Sequence, residues 1–400
     1  MTAIKKLFCS CCAIFLPLVL AFPPALAAGS DSLEKFIAGT QRERPFVYHP
    51  EYHDYACYLG GVSNPEGSLA EYEDTPVWDN YAAGMDRNWE RLEKRQLQPM
   101  KRWAAKELKE VATATVFYPF SGADFLNVYA LFPNAKTYLM LALEPVGTIP
   151  DLDGGGNCLA DLERALRGYL YATAYFVTAR MQTQLARSQL KGVLPVLMFF
   201  LAREKARVLD IRYWVMRGDG SLEERQALES ESYRDGIPGV RLVFEGPGVR
   251  GRQTLYYFQV NLQDSSFGRH PRFRSFLKSF APFTSFSKSA SFLLPNPDFS
   301  EIRQFILNQS HYVLQTDSEI PLKHFAPETW NLRFYGTYTG PTPLFRGRYQ
   351  KDLALAYQEG KDIYPLPFGI GYHYEAGTSN LLFAAKKPKK QLIAREKQAD

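Results

Sequence analysis

Residues 112–143, ATATVFYPFSGADFLNVYALFPNAKTYLMLAL, decide the fold. Ala112–Phe120 is an almost unbroken apolar run rich in β-branched and aromatic residues, and Thr137–Leu143 is a second. Between them Gly122–Phe132 has the spacing of a short helix. Continuous apolar strands without a polar alternation are buried on both faces, and two of them joined by a helix belong side by side in a parallel sheet.

Outward from this unit the alternation continues. A helix is expected from Cys158 to Leu190 with Asn157 as its cap, then a helix from Val193 to Ala206 and a strand from Val208 to Met216. Val240–Glu245 and Thr254–Asn261 are expected to be strands joined by a glycine-rich turn. Helices near Pro271–Phe280, Phe299–Asn308 and Gln350–Gln358 alternate with strands near Ser289–Leu294, Tyr312–Gln315, Leu332–Thr339, Gly369–Tyr374 and Leu381–Ala385. The fold class this predicts is α/β: a layered sandwich with a mostly parallel sheet, a Rossmann-like order among its candidates, and antiparallel strands at one edge. Upstream, residues 29–100 form a polar, aromatic segment that wraps the domain and ends in a helix over Trp78–Gln96, with another over Met100–Val111. The α/β domain spans 101–385, and 386–400 is a basic, flexible tail.

The first 28 residues have the three parts of an export signal: Lys5 and Lys6, the apolar run Leu7–Leu20, and Ala25 and Ala27 as the small residues at the third and first positions before the cut. The apolar run is short for a membrane span, which takes about 20 residues. The expected location is therefore the bacterial periplasm or the extracellular space, with no transmembrane segment after cleavage. Cys9, Cys11 and Cys12 leave with the leader; Cys57 and Cys158 remain, either as one disulfide or as two unpaired thiols in apolar surroundings. The net charge of +5 falls to +3 without Lys5 and Lys6, too little to argue for nucleic acid. Only the tail, with Lys386, Lys387, Lys389, Lys390, Arg395 and Lys397, offers weak contact with an anionic surface.

Several motifs invite chemistry. Gly246-Pro247-Gly248-Val249-Arg250-Gly251 matches a dinucleotide-binding pattern, but strand formers follow it where the mechanism needs a helix, so it is a hairpin loop. Ser121-Gly122-Ala123-Asp124 lies where a strand turns into a helix, the place where open α/β sheets gather ligands; a capping box, with Ser121 accepting a first-turn amide, explains the same residues. Glu144 ends the next strand, and this order superficially resembles methyltransferase-like folds, where such an acid binds ribose hydroxyls. The likeness covers about 35 residues and lacks the glycine-rich turn, and export removes the cytoplasmic cofactor, so a loop carboxylate held by local amides is the simpler reading and no cofactor is expected. Asp151–Asn157 resembles the start of a calcium loop but lacks the closing carboxylate, since position 12 is Leu162. His49 and His53 have helical metal spacing, with Pro50 between them, so no metal is expected there.

Late in the chain, Ser287–Ser291, Thr316–Pro321 with His324, and Trp330–Tyr338 bring polar groups to predicted strand ends. Phe120–Phe125, Leu131–Pro133, Leu143–Gly147, Lys288–Ser291 and Asp317–Pro321 together resemble a group of exported bacterial proteins with no assigned activity. The resemblance implies export and a single α/β unit, and no reaction. Three functions stay open. The first is ligand binding in the crevice at the strand ends, by Ser121, Asp124, Glu144, Ser289 and Tyr335, with Tyr118, Phe120 and Tyr338 as stacking partners for an envelope sugar or another flat group. The second is a hydrolase or transferase acting on envelope material, with Lys288, Asp317 and His324 as its catalytic set. The third is a structural or partner-binding envelope protein.

Overall fold

A computed structural model describes residues 48–153, 157–170, 190–228, 236–289, 291–360 and 363–388, all within the unit Pro45–Asp400. The leader, residues 29–47 and the tail beyond 388 lie outside the described residues, as do 171–189 of the long helix expected after Asn157.

The opening unit folds as its sequence requires. Strand β1 (Thr115–Pro119) leads through helix α4 (Phe125–Leu131) to β2 (Thr137–Ala142), and β1 and β2 pair in parallel from Thr115↔Thr137 to Pro119↔Leu141. Around it lies an eleven-stranded sheet in the order β10-β9-β11-β8-β7-β1-β2-β6-β5-β3-β4. Its other strands are β3 (Arg207–Met216), β4 (Leu222–Arg225), β5 (Ile237–Glu245), β6 (Gln253–Gln259), β7 (Phe283–Ser287), β8 (Ser310–Gln315), β9 (Trp330–Gly336), β10 (Ile363–Tyr364) and β11 (Asn380–Lys386).

β8, β7, β1, β2 and β6 are mutually parallel. Numbered by their own order along the chain and taken from β6 to β8, they lie as 3-2-1-4-5, the Rossmann-like order. Growth of the sheet therefore reverses between β1 and β7. Antiparallel pairing occurs on both flanks: β5, β3 and β4 extend one side, and β11 runs antiparallel between β8 and β9 on the other. The glycine-rich stretch 246–251 is the loop of the β5–β6 hairpin, as expected.

Both faces of the parallel core are covered. Tyr118 packs toward Phe286, while Phe117 on the opposite face stacks on Phe283 and meets Phe305. The first layer contains α1 (Pro50–Gly60), α2 (Pro76–Leu92), α3 (Gln98–Glu107), α4, α5 (Cys158–Gly168) and α6 (Leu194–Arg203). The second contains α7 (Pro271–Lys278) and α8 (Ser300–Gln309), whose Phe273, Phe276 and Phe305 meet the sheet; α9 (Lys351–Glu359) follows β9. Among the described residues no helix is long and apolar enough to cross a membrane.

Four local expectations change. Pro50 opens α1 at a position where its missing N–H costs no hydrogen bond, so residues 50–60 are helical. His49 then lies outside the helix beside Glu51, and His53 approaches the Cys57 sulfur at 3.6 Å. β7 covers 283–287 instead of 289–294. Its polar appearance is misleading, because Thr284 meets Thr113 at 3.0 Å and Ser285 meets Ser310 at 2.7 Å, which lets the hydroxyls be buried. Gly369–Tyr374 is a tight loop closed by an Ile370–His373 bridge, not a strand. Cys57 and Cys158 are buried free thiols, so the disulfide alternative is not what the structure contains. Burial pushes them up to about 12 and about 11 respectively.

Candidate functional site

The reversal between β1 and β7 sets their carboxyl ends side by side. Asp124 follows β1 and Lys288 follows β7, and Lys288 Nζ lies 2.7 Å from Asp124 Oδ2 with both side chains 3% exposed. Asp124 Oδ2 also accepts from Tyr118 Oη at 2.8 Å, and Oδ1 accepts from Asn127 Nδ2 at 2.9 Å and Tyr169 Oη at 2.8 Å. The carboxylate thus meets one ammonium and three neutral donors. Burial, followed by the nearby Asp124 charge, holds the Tyr118 and Tyr169 hydroxyls well above their usual range, so they remain donors.

This arrangement replaces the capping box. Asp124 occupies the N-cap position of α4 but makes no side-chain cap, because its carboxylate turns to Lys288. Ser121 Oγ donates to the carbonyls of Gly122 and Leu141, at 3.1 and 3.4 Å, instead of accepting an amide. Gly122 has φ +54, and a Cβ there would sit 3.2 Å from Glu144 Oε1, so the glycine lets the Glu144 carboxylate pack against the turn. Phe120 in the loop after β1 and Phe292 in the loop after β7 both take left-handed backbone, φ 58 and 50. For bulky residues that conformation costs about 1–2 kcal/mol each.

The end of β8 contributes a second polar group. Glu319 is fully buried; its Oε2 accepts from Ser287 Oγ at 2.6 Å and its Oε1 from Ser318 Oγ at 3.0 Å. Burial pushes its carboxyl up to about 7, against the Ser287 and Ser318 hydrogen bonds, and the Asp317 charge adds to the rise. Asp317 Oδ2 accepts from Tyr372 Oη at 2.6 Å, while its backbone N–H donates to Asn380 Oδ1 at 2.9 Å. Burial raises the Asp317 carboxyl too, opposed by Tyr372. The buried Asn380 side chain also hydrogen-bonds the Asp317 carboxyl.

The residues singled out in the sequence divide accordingly. Asp124 and Lys288 are in direct contact, Ser121 and Glu144 border the adjoining Gly122 turn, and Asp317 belongs to the β8 group. Ser289 is half-buried and accepts from the Ser291 amide at 3.3 Å. His324 sits in a 3-10 turn, where partial burial, then Arg303 and Lys323, lower its affinity for a proton. Tyr335 is packed edge-on against Trp103, and its hydroxyl donates to Glu107 at 3.1 Å. Tyr338 Oη accepts from the Gln350 amide at 2.9 Å, and Phe120 packs edge-on against Phe299.

Glu319 lay inside the Thr316–Pro321 segment without a role assigned to it, and Asn127, Tyr169, Tyr372 and Asn380 lay in no motif. Only Glu319, two residues beyond Asp317 at the end of β8, had a readable signal, since a strand-end acid in an apolar context is where a carboxyl becomes buried. The others arrive from distant elements. Compared with known proteins, the chain matches no family model and no curated protein.

Proposed function

We propose that this is an exported ligand-binding protein whose site is the crevice at the carboxyl ends of β1, β7 and β8. The carrying observation is that Asp124, Lys288, Asp317 and Glu319 are all buried just past the carboxyl ends of the neighbouring strands β1, β7 and β8, next to where sheet growth reverses. A buried ion pair is a poor investment for stability alone, since a packed apolar pair of similar volume often serves as well or better. The two left-handed phenylalanines flanking the pair supply a second reason, because such strain persists where surrounding structure holds a functional loop. The location rests on the Lys5-to-Ala28 pattern and the envelope ligand follows from it.

The test is isothermal titration of the full chain against envelope sugars and peptides, repeated with Lys288→Met. Binding that weakens in the variant supports the reading; no binding across the panel overturns it. Fractionation that finds the protein in the cytoplasm with its leader attached overturns the location.

A catalytic reading retains one supporting observation: Glu319, with its carboxyl near 7, can take up and release a proton at neutral pH. It would make Glu319 the proton carrier of a hydrolase or transferase. Turnover of an envelope glycan or peptide that survives Glu319→Gln unchanged would exclude that role.

A further inference from the structure

The loop 337–350 (TYTGPTPLFRGRYQ) joins β9 to α9 and carries the most exposed large apolar side chain among the described residues, Leu344 at 83%. The large apolar and aromatic side chains that stand exposed are otherwise few, and most of them, Tyr349, Leu355, Tyr364 and Tyr374, fall in the same late stretch. Exposed apolar residues scattered singly need no explanation, whereas their concentration in one part of a chain marks a contact surface. The base of the loop is held firmly. Phe345 packs on Phe292 with ring centres 5.0 Å apart and Tyr349 on Tyr338 at 5.7 Å. The Gln350 amide donates to Tyr338 Oη at 2.9 Å, and its side chain donates to the Asp317 carbonyl at 2.7 Å and accepts from the Leu322 amide at 3.1 Å. Within this frame Pro343–Arg348 form a 3-10 turn, and a Cβ built on Gly347 would meet nothing within 4 Å, so the tip stands clear of the body. Pro341 and Pro343 fix the backbone that leads into it, so presenting the tip costs little further ordering.

The tip is also basic. Arg346 and Arg348 are exposed in it, Lys351 is exposed just after it, and from Thr337 to Lys351 there is no acid. The next acid, Asp352, is turned to its own helix, where it accepts the Leu353 amide at 2.9 Å. We propose that this tip docks the protein on an anionic membrane surface, with Leu344 entering the boundary between headgroups and acyl chains and Arg346, Arg348 and Lys351 meeting lipid phosphates. Charge complementarity selects an anionic partner, and Leu344 selects a bilayer among anionic partners. A charged polymer would engage the arginines and leave the leucine in water, whereas a bilayer accepts both at adjacent depths. Tyr349 beside them has the amphipathic ring that settles at headgroup level. One leucine and three cations make a reversible contact, weaker than the two-signal anchors that hold proteins permanently. The proposal uses none of the crevice residues and stands apart from the crevice reading.

The experiment is co-sedimentation of the protein, purified as the cell accumulates it, with vesicles of equal parts phosphatidylglycerol and phosphatidylcholine, and with vesicles of phosphatidylcholine alone. Binding to the anionic vesicles is expected, and it should be lost when salt rises from about 0.1 M to about 1 M, because the screening length shortens from about 10 Å to about 3 Å. Arg346→Gln combined with Arg348→Gln should weaken it about 30-fold, at about fivefold per cation near such a surface. Leu344→Ser should weaken it at least about tenfold, the loss expected when one leucine side chain stays in water. Val77→Ser, at an apolar side chain 66% exposed on α2, should leave binding unchanged. All these side chains are exposed, so the variants should fold as the wild type does, which circular dichroism checks. Leu344→Trp isolates the tip from contacts made by the leader or the basic tail: its fluorescence should shift to the blue on anionic vesicles and be quenched by brominated lipid. A tryptophan at 344 that stays in water while the protein is bound would overturn the proposal, as would no binding to anionic vesicles, equal binding to neutral ones, or an equal loss in Val77→Ser. Binding that the arginine pair weakens and Leu344→Ser does not would assign the tip to an anionic polymer or protein, and would overturn the membrane assignment.

Discussion

Replacing Glu319 by Gln removes a carboxyl that folding keeps protonated. The ordinary value of 4.5 rises to about 7 in the fully buried site, chiefly through loss of hydration. Between these values the folded chain holds a proton that the unfolded chain has released. Stability from this group is therefore complete below about pH 4.5, falls as pH rises, and levels off above about pH 7. At about 1.36 kcal/mol per pH unit of displacement the loss amounts to about 3 kcal/mol. For a folded unit of roughly 350 residues, with an unfolding entropy of about 2.1 cal/mol/K per residue, that is about 4 °C in Tm. Gln keeps one acceptor for a serine hydroxyl and offers a donor to the other, and it has nothing to ionise. Urea unfolding of both proteins at pH 4.5, 5.5, 6.5 and 8 reads the effect. The stability of Glu319→Gln relative to wild type should rise by about 3 kcal/mol across that range. Asp317 titrates in the same direction in both proteins, so the difference between them is the quantity that isolates Glu319. A difference that stays constant within about 0.5 kcal/mol, the usual size of an inconsequential substitution, would refute the reasoning.

Further outcomes follow from other sites. Lys288→Met leaves the Asp124 carboxylate buried without its cation and should cost about 3–5 kcal/mol in urea unfolding; adding Asp124→Asn should recover much of this, and no recovery would mean that Lys288 acts through packing. Gly192→Ala places a Cβ 2.2 Å from the Gly147 nitrogen and should destabilise by more than about 2 kcal/mol, whereas Gly218→Ala, with nothing within 4 Å, should change unfolding by under about 1 kcal/mol. Cys57 and Cys158 should ignore an aromatic disulfide reagent in the native protein and both react after denaturation; failure to react when unfolded would show that they are bridged.

The amino-acid sequence by itself determined the kind of fold. The runs 112–120 and 137–143 are apolar at consecutive positions and rich in β-branched and aromatic residues, as strands covered on both faces are, and the segment between them, bounded by Gly122 and Pro133, has the length of a short connecting helix. The same logic located α5 with its Asn157 cap, whose Oδ1 accepts the Ala160 amide at 2.9 Å, and the β5–β6 hairpin. It misplaced β7, because Thr284 and Ser285 look like surface residues until the hydroxyls of Thr113 and Ser310 stand beside them. It missed α1, because a proline breaks a helix in the interior but opens one at its first turn.

Tertiary structure alone decided the strand order, and with it the candidate site. Local pattern marked Asp124, Lys288 and Asp317 as strand-end residues, but not which of them would meet. Periodicity carries information over the few residues of one element, whereas pairing across a sheet depends on which neighbours together bury the most surface and satisfy the most polar groups. β7 returns beside β1 instead of continuing past β6, and that reversal joins Lys288 to Asp124. The antiparallel entry of β11 next to β8 likewise sets Asn380 against Asp317, whose backbone N–H donates to the Asn380 side-chain oxygen.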